Sequence, residues 1–120
     1  MLEASCHCGA VRIQMDVMPD SVAQCTCSIC RRTGARWAYG NRRTIRVKNA
    51  ADTISKYTWG DKTLAICHCN VCGCVTHWES LDEQPDSRMA VNSRLMAIED
   101  VADIPVRTFD GADTWEYIDS

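Results

Sequence analysis

The stretch Cys25-Thr-Cys-Ser-Ile-Cys30-Arg-Arg-Thr-Gly34 places three cysteines within six residues. Zinc binds thiolates at about 2.3 Å in tetrahedral geometry, so neighbouring ligand sulfurs lie about 3.8 Å apart. Cys25 and Cys27 can meet this requirement on an extended segment, because residues i and i+2 point to the same face. This C-x-C pair therefore predicts the first two ligands of a zinc site.

A short helix is predicted to supply the third ligand. Ser28 is a good helix N-cap and Gly34 a good terminator, so Cys30 falls in the first turn. The helix N-terminus, Arg31 and Arg32 are expected to favour a thiolate at Cys30. Three protein ligands with an exchangeable fourth group are typical of catalytic zinc. A distant cysteine that closes the site and makes it structural is the alternative, and the spacing does not decide between the two.

The composition favours metal binding over disulfides. The chain has 120 residues and nine cysteines, an odd number that cannot pair completely within one chain. No secretory signal is recognised after Met1, and no apolar run approaches the length of a membrane helix. We therefore expect a single zinc-binding domain over residues 1–120, in the cytoplasm and without a membrane partner.

Charge is distributed unevenly along the chain. The net charge is −3, which argues against general binding to nucleic acid. No acidic residue lies between Asp20 and Asp52, and this region surrounds the three-cysteine stretch. Its cations are Arg31, Arg32, Arg36, Arg42, Arg43, Arg46 and Lys48. This basic block is either ordinary solvated surface or a field that draws a small anionic substrate to the metal.

Two further motifs predict a second, closed zinc site. Cys6 and Cys8 form another C-x-C pair, and Cys69 and Cys72 form a C-x-x-C pair followed by Gly73. A glycine after the second cysteine permits the tight turn of a zinc knuckle. Together the four cysteines complete a structural site, although the spacing also permits pairs that use Cys67 or Cys74.

Five other residues of ligand type are left outside these two sites. Cys67 and Cys74 are expected to act as small buried apolar groups. The three histidines are expected to lie beside ligands or on the surface rather than to bind metal; they are His7, His68 and His77.

The rest of the chain is predicted to be mainly β. Apolar residues alternate with polar ones from Val11 to Val17, which is the pattern of a strand with one buried face. Further strands are predicted at 22–27, 37–39, 45–47, 53–57, 63–67, 75–78, 89–91 and 106–109. Turns are expected at Gly40-Asn41 and at Trp59-Gly60-Asp61, and one or two helical turns are expected within 98–104.

The three cysteine motifs, in this order, resemble the glutathione-dependent formaldehyde-activating enzyme family, whose domain is shared with centromere protein V. The segments Val91-Asn92 and Phe109-Asp-Gly111 also resemble late segments of bacterial members. The resemblance implies a mainly β, β-tent-like fold of packed antiparallel sheets with two zinc ions. Thr26 departs from the family, which commonly has His there, and His68 stands where an aromatic residue usually precedes the knuckle. The resemblance implies a structural zinc at Cys6, Cys8, Cys69 and Cys72 and a catalytic zinc at Cys25, Cys27 and Cys30.

Two functions are compatible with these residues. The first is a carbon–sulfur lyase or synthase that acts on the adduct of a glutathione-like thiol and a small aldehyde or other electrophile. Zinc lowers the pKa of a bound thiol, and Arg31 and Arg32 are predicted to hold its carboxylates. The alternative is a zinc-stabilised binding module without catalysis. An exchangeable position at the three-cysteine metal distinguishes the enzyme from the module.

Overall fold

The protein is mainly β, as the sequence predicts. The computed structural model describes residues 2–60 and 62–119, which form ten strands and two short α-helices. The strands are β1 (Leu2–Ser5), β2 (Val11–Met15), β3 (Val22–Cys25), β4 (Trp37–Asn41), β5 (Ile45–Asn49), β6 (Ile54–Tyr57), β7 (Leu64–Cys69), β8 (Val75–Ser80), β9 (Arg88–Asn92) and β10 (Val106–Phe109). The helices are α1 (Ser28–Thr33) and α2 (Ile98–Val101), and a 3₁₀ turn spans Ser93–Leu95. Neither α-helix in this described part of the chain is long enough to cross a membrane.

The strands form two sheets. The smaller sheet has the order β1-β2-β5, and the larger has the order β10-β3-β4-β9-β8-β7-β6. All pairs are antiparallel except β10 with β3, which run parallel. Because β10 is the last strand of the chain, this parallel pair brings the C-terminal segment beside the three-cysteine stretch.

One core cluster lies between the two sheets. Val11 and Ile13 of the small sheet share it with Val91 and Met89 of the large sheet, and all four are at most 4% exposed. The alternation predicted from Val11 onward is confirmed, although the strand ends at Met15. Each sheet therefore buries one face against the other, as layered β folds require.

A second cluster covers the opposite face of the large sheet. Trp37, Ile66, Trp78 and Ala90 are buried there, and Cys30 of α1 packs with them. Strand register places Ile66, Trp78 and Ala90 side by side on this face. The three-cysteine stretch therefore lies on the face of the large sheet that points away from the small sheet.

The structure corrects some local predictions. Cys27, not Ser28, is the N-cap residue of α1, because Ser28 already has helical geometry. Gly34 ends the helix in the left-handed conformation, as expected. The predicted Gly40-Asn41 turn is wrong, since both residues belong to β4 and the chain turns after them. The predicted turn at Trp59-Gly60-Asp61 includes Asp61, which lies outside the described residues, and strand β1 was not predicted.

Candidate metal centres

The first centre joins the N-terminal C-x-C motif to the knuckle motif. The sulfurs of Cys6, Cys8, Cys69 and Cys72 all lie within 4.8 Å of one another. The Sγ–Sγ distance is 3.7 Å between Cys6 and Cys8, and 3.6 Å between Cys8 and Cys69. Four thiolates around zinc lie about 3.8 Å apart, so this donor set fits a closed tetrahedral site.

Backbone amides point at these sulfurs from both motifs. The Val11 amide lies 3.3 Å from Cys6 Sγ. Hydrogen bonds from the amides of Cys74 and Cys8 lower the pKa of Cys72 to about 5. Amides that donate to sulfur favour the thiolate, which is the form that binds metal. Gly9 and Gly73, each with φ of +82°, make the turns that direct the amides inward.

The second centre consists of Cys25 at the end of β3, Cys27 before α1 and Cys30 within α1. Their sulfurs also lie within 4.8 Å of one another. The indole Nε1–H of Trp37 donates to Cys30 Sγ at 3.3 Å, and the amide of Cys27 donates to Cys25 Sγ at 3.5 Å. Among the described residues, no fourth Cys, His or carboxylate joins this group. The three thiols can therefore hold a zinc ion that keeps one position open.

The three thiols differ in acidity. Burial acts to raise the pKa of Cys27, but hydrogen bonds from the amide and thiol of Cys30 and from Cys25 outweigh it and lower the pKa. Burial raises the pKa of Cys30 far above its usual range, against the hydrogen bond from Trp37. The expectation that its surroundings favour a Cys30 thiolate is therefore wrong for the metal-free site, and metal binding must displace its proton.

The C-terminal segment forms one wall of the second centre. The Thr26 amide donates to the Phe109 carbonyl at 3.0 Å, and the Thr26 hydroxyl donates to Asp110 Oδ1 at 2.7 Å. These bonds hold Gly111 so close that a Cβ added to it would lie 2.6 Å from Cys25 Sγ. The sequence pattern did not reveal this contact, because Gly111 lies 86 positions after Cys25 in the chain.

Aromatic side chains extend this wall. Trp115 and Tyr117 both contact Phe109 edge to face, with ring centroids 5.2 and 5.1 Å apart. The Arg107 guanidinium lies 3.9 Å from the centroid of the Tyr117 ring. Tyr39 packs against the cluster that contains Cys30. None of these residues was predicted as part of the site.

The basic block proves to be divided among several surfaces. Arg46 forms an ion pair with Asp16 at 2.7 Å, and Arg42 donates to the Ser80 carbonyl at 3.0 Å. Arg31 and Arg32 are exposed on α1 directly after Cys30, and Arg32 donates to the Ser28 carbonyl at 2.8 Å. These two remain the cations of the block nearest in sequence to the second centre.

A third group of possible ligands was not predicted. Strand register places Cys67 of β7 opposite His77 of β8, and Glu79 follows on the same face. One ligand atom from each of the three lies within 4.8 Å of the others. The sequence predicts that His77 lies beside ligands or on the surface. It is only 2% exposed, so the surface position is wrong. Burial lowers the pKa of His77 to about 4 and raises that of Cys67 to about 12.

The remaining cysteines and histidines differ in burial. Cys67 is fully buried, as expected, whereas Cys74 is half-buried. The Cys69 amide donates to the Cys74 carbonyl at 2.9 Å, which closes the knuckle turn. His7 is exposed and His68 half-buried. The structure brings Cys69 and Cys72 together with Cys6 and Cys8. The other pairs that the spacing permits, which use Cys67 or Cys74, do not form this group.

Comparisons with known proteins agree with the cysteine pattern. Residues 1–103 match the family model described as "Glutathione-dependent formaldehyde-activating enzyme". A Halomonas elongata protein, provisionally named as such an enzyme, is 42% identical over 55 residues, which are 45% of this chain and 32% of that protein. The match thus spans about a third of that relative's length. A solved Rhodobacter sphaeroides protein is 29% identical, with a TM-score of 0.70 over 88% of this chain and 99% of that one.

The two cysteine centres are expected to differ in their importance for folding. Structural zinc contributes about 10–16 kcal/mol in small peptides, whereas a whole domain is stable by about 5–15 kcal/mol. Cys69→Ala should therefore unfold the protein, while Cys27→Ala should leave it folded but depleted of the second metal. Thermal unfolding followed by circular dichroism, with metal analysis, measures both effects. Equal melting temperatures for the two variants would contradict the division into a structural and an open centre.

Gly111→Ala is expected to weaken metal retention at the second centre. The added methyl group would lie 2.6 Å from Cys25 Sγ, so either the sulfur or the C-terminal loop must move. Gly34→Ala is the matched control, because Gly34 has φ of +70° and no atom within 4 Å of the added group. Its backbone strain costs stability without touching a sulfur. Zinc release to a chromogenic chelator should be faster for Gly111→Ala alone; equal release from both variants would contradict the contact.

Proposed function

The chain belongs to the glutathione-dependent formaldehyde-activating enzyme family, and from this premise we propose that it makes or breaks a carbon–sulfur bond on a thiol adduct. The thiol is a small anionic one such as glutathione, and the electrophile is a small aldehyde. The reaction takes place at the open centre of Cys25, Cys27 and Cys30, within a single zinc-binding domain over residues 1–120. The observation that carries the proposal is the three-sulfur group without a fourth ligand among the described residues.

Zinc is the metal that both centres suit best, which gives two ions per chain. Four thiols at tetrahedral spacing suit a structural ion held by Cys6, Cys8, Cys69 and Cys72. Zinc at the open centre would act as a Lewis acid that lowers the pKa of a substrate thiol. Amide and indole donors to the sulfurs of Cys25 and Cys30 fix the orientation of those ligands.

The chain's own residues would bind and orient the substrate. The reaction is an addition: the thiol sulfur forms a bond to the aldehyde carbon, and the carbonyl oxygen takes up the proton that the thiol loses. No oxidant or reductant is needed. Tyr39 packs against the cluster that contains Cys30, and its phenol, which is protonated at neutral pH and whose pKa burial raises further, would donate a hydrogen bond to that oxygen. Arg31 and Arg32 would hold the substrate carboxylates, since they directly follow Cys30 in the chain.

The direct test is the rate at which glutathione and formaldehyde equilibrate with their adduct. Exchange spectroscopy by NMR measures this rate without a coupled enzyme. Zinc-loaded protein is expected to accelerate exchange, and Cys27→Ala is expected to abolish the acceleration while the fold persists. A zinc-loaded protein that binds glutathione but leaves the exchange rate unchanged would favour a binding module and contradict the enzyme.

Reversal of the charges beside the open centre should weaken binding of a carboxylated thiol. A bidentate contact from arginine to a carboxylate contributes about 1.5–3 kcal/mol, so Arg31→Glu with Arg32→Glu should weaken glutathione binding at least tenfold. Binding of uncharged mercaptoethanol should change far less. Calorimetric titration of both thiols measures the difference.

A second double variant separates local contacts from the field of the whole protein. Arg12 and Lys48 are exposed, paired across β2 and β5 of the small sheet. Arg12→Glu with Lys48→Glu changes the net charge by the same amount and should leave glutathione binding nearly unaltered. Equal losses in the two double variants would mean that net charge, not a contact from Arg31 or Arg32, attracts the thiol.

A further inference from the structure

The large sheet carries a group of polar side chains that the proposed reaction does not use. Cys67 of β7 lies opposite Lys56 of β6 and opposite His77 of β8. Glu79 follows His77 by two residues, so all four side chains lie on the face that points toward the small sheet. This is the opposite face from the one that carries Cys30 and Trp78. The group therefore lies across the sheet from the open centre, and it shares no residue with the first centre.

A β-bulge determines how His77 is oriented. The pairing of β7 with β8 shifts between Cys67, which lies opposite His77, and His68, which lies opposite Val75. Thr76 is therefore the bulged residue of β8, with no residue of β7 paired opposite it. The Thr76 hydroxyl donates to the Cys67 carbonyl at 3.3 Å and lies 2.8 Å from His77 Nδ1. Because the Thr76 hydroxyl donates its hydrogen to the Cys67 carbonyl, its oxygen is left to accept a hydrogen bond from His77 Nδ1–H. In that tautomer the Nε2 atom of His77 carries no hydrogen and keeps its lone pair. A histidine fixed through one nitrogen in this way presents the other to a metal.

The other two donors face this nitrogen. His77 Nε2 lies 3.9 Å from Glu79 Oε2, which is too long for a hydrogen bond. A nitrogen and an oxygen bound to zinc at about 2.0–2.2 Å lie about 3.3–3.6 Å apart, so the two groups need to close by only a few tenths of an ångström. The Cys67 sulfur is the third donor, and it lies within 4.8 Å of a ligand atom of each of the other two residues.

We propose that Cys67, His77 and Glu79 form a third site, for a divalent cation of zinc type. One thiolate, one imidazole and one carboxylate are donors that zinc accepts together. The enclosed position, with Cys67 fully buried and His77 only 2% exposed, suits a structural ion that links β7 to β8. The site is independent of the proposed reaction.

The charges around the site balance with and without the ion. Without it, Glu79 forms an ion pair with the Lys56 ammonium at 2.5 Å, and the Cys67 thiol donates to the Ala65 carbonyl at 3.8 Å. When the cation binds, the Cys67 thiol releases its proton to water, and two anionic ligands neutralise the two positive charges. The Lys56 side chain is 53% exposed, so it can leave Glu79 for solvent. Lys56 is therefore a competitor for the carboxylate, not a ligand.

This competition gives a test in which variants act in opposite directions. Protein that already holds zinc in both cysteine centres is titrated with Co²⁺, and equilibrium dialysis and the sulfur-to-cobalt absorption band report the additional equivalent. The full chain should bind one additional ion. Cys67→Ser and Glu79→Gln should lose it, while Lys56→Gln should tighten it by up to about fivefold, as release of a partly exposed ion pair allows.

Lys56→Gln is decisive because Lys56 lies at the surface and its replacement leaves the core intact. Failure of both the parent protein and Lys56→Gln to bind a third ion would overturn the proposal. If the additional ion still binds to Cys67→Ser, or binds no more tightly to Lys56→Gln than to the parent protein, then the ion occupies a different site. Either result would also overturn the proposal. Retention of two zinc ions in every variant confirms that the cysteine centres are undisturbed.

Discussion

The convergence of four cysteine sulfurs from two separate sheets is the constraint on which the fold depends. Cys6 and Cys8 lie between β1 and β2 of the small sheet, whereas Cys69 ends β7 of the large sheet and Cys72 lies in the turn between β7 and β8. The core between the sheets consists mainly of small and medium side chains, such as Val11 and Val91. Such a core provides limited hydrophobic stabilisation in a chain of this length, so a metal held by these four sulfurs would contribute much to keeping the two sheets together at this end.

The open centre is organised differently. Its three cysteines come from one short segment, so they do not tie distant elements together, and they lie on the outer face of the large sheet. Their arrangement depends on the parallel pairing of β10 with β3, which carries Gly111 to the Cys25 sulfur. The same pairing positions Phe109, Trp115 and Tyr117 beside the centre. The family match covers residues 1–103, so the residues of this wall lie beyond the matched region.

Thr26 illustrates how the two segments depend on each other. It lies between Cys25 and Cys27, and its side chain donates to Asp110 and accepts from the Ala112 amide. Thr26 thus anchors the C-terminal wall beside the centre.

Local sequence patterns predicted those features whose physical cause is local. The C-x-C and C-x-x-C-Gly spacings identified the cysteine groups, because ligand geometry restricts the spacing, and alternation identified β2 because one face is buried. The contact of Gly111 with Cys25 and the grouping of Cys67 with His77 could not be predicted, since each depends on which strands pair and in what register. The N-cap at Cys27 was missed because Ser28 has the stronger intrinsic preference, while the ligand pair before it sets where the chain turns.

The central claim is that the three-cysteine centre accepts a thiol from solution. Cobalt in place of zinc at this centre gives an absorption band that grows with each sulfur bound. Addition of glutathione should intensify the band and shift the ligand-field bands, whereas S-methylglutathione, which lacks the free thiol but keeps both carboxylates, should not. An unchanged spectrum with glutathione, or the same change with both compounds, would contradict direct binding of the thiol at the open position.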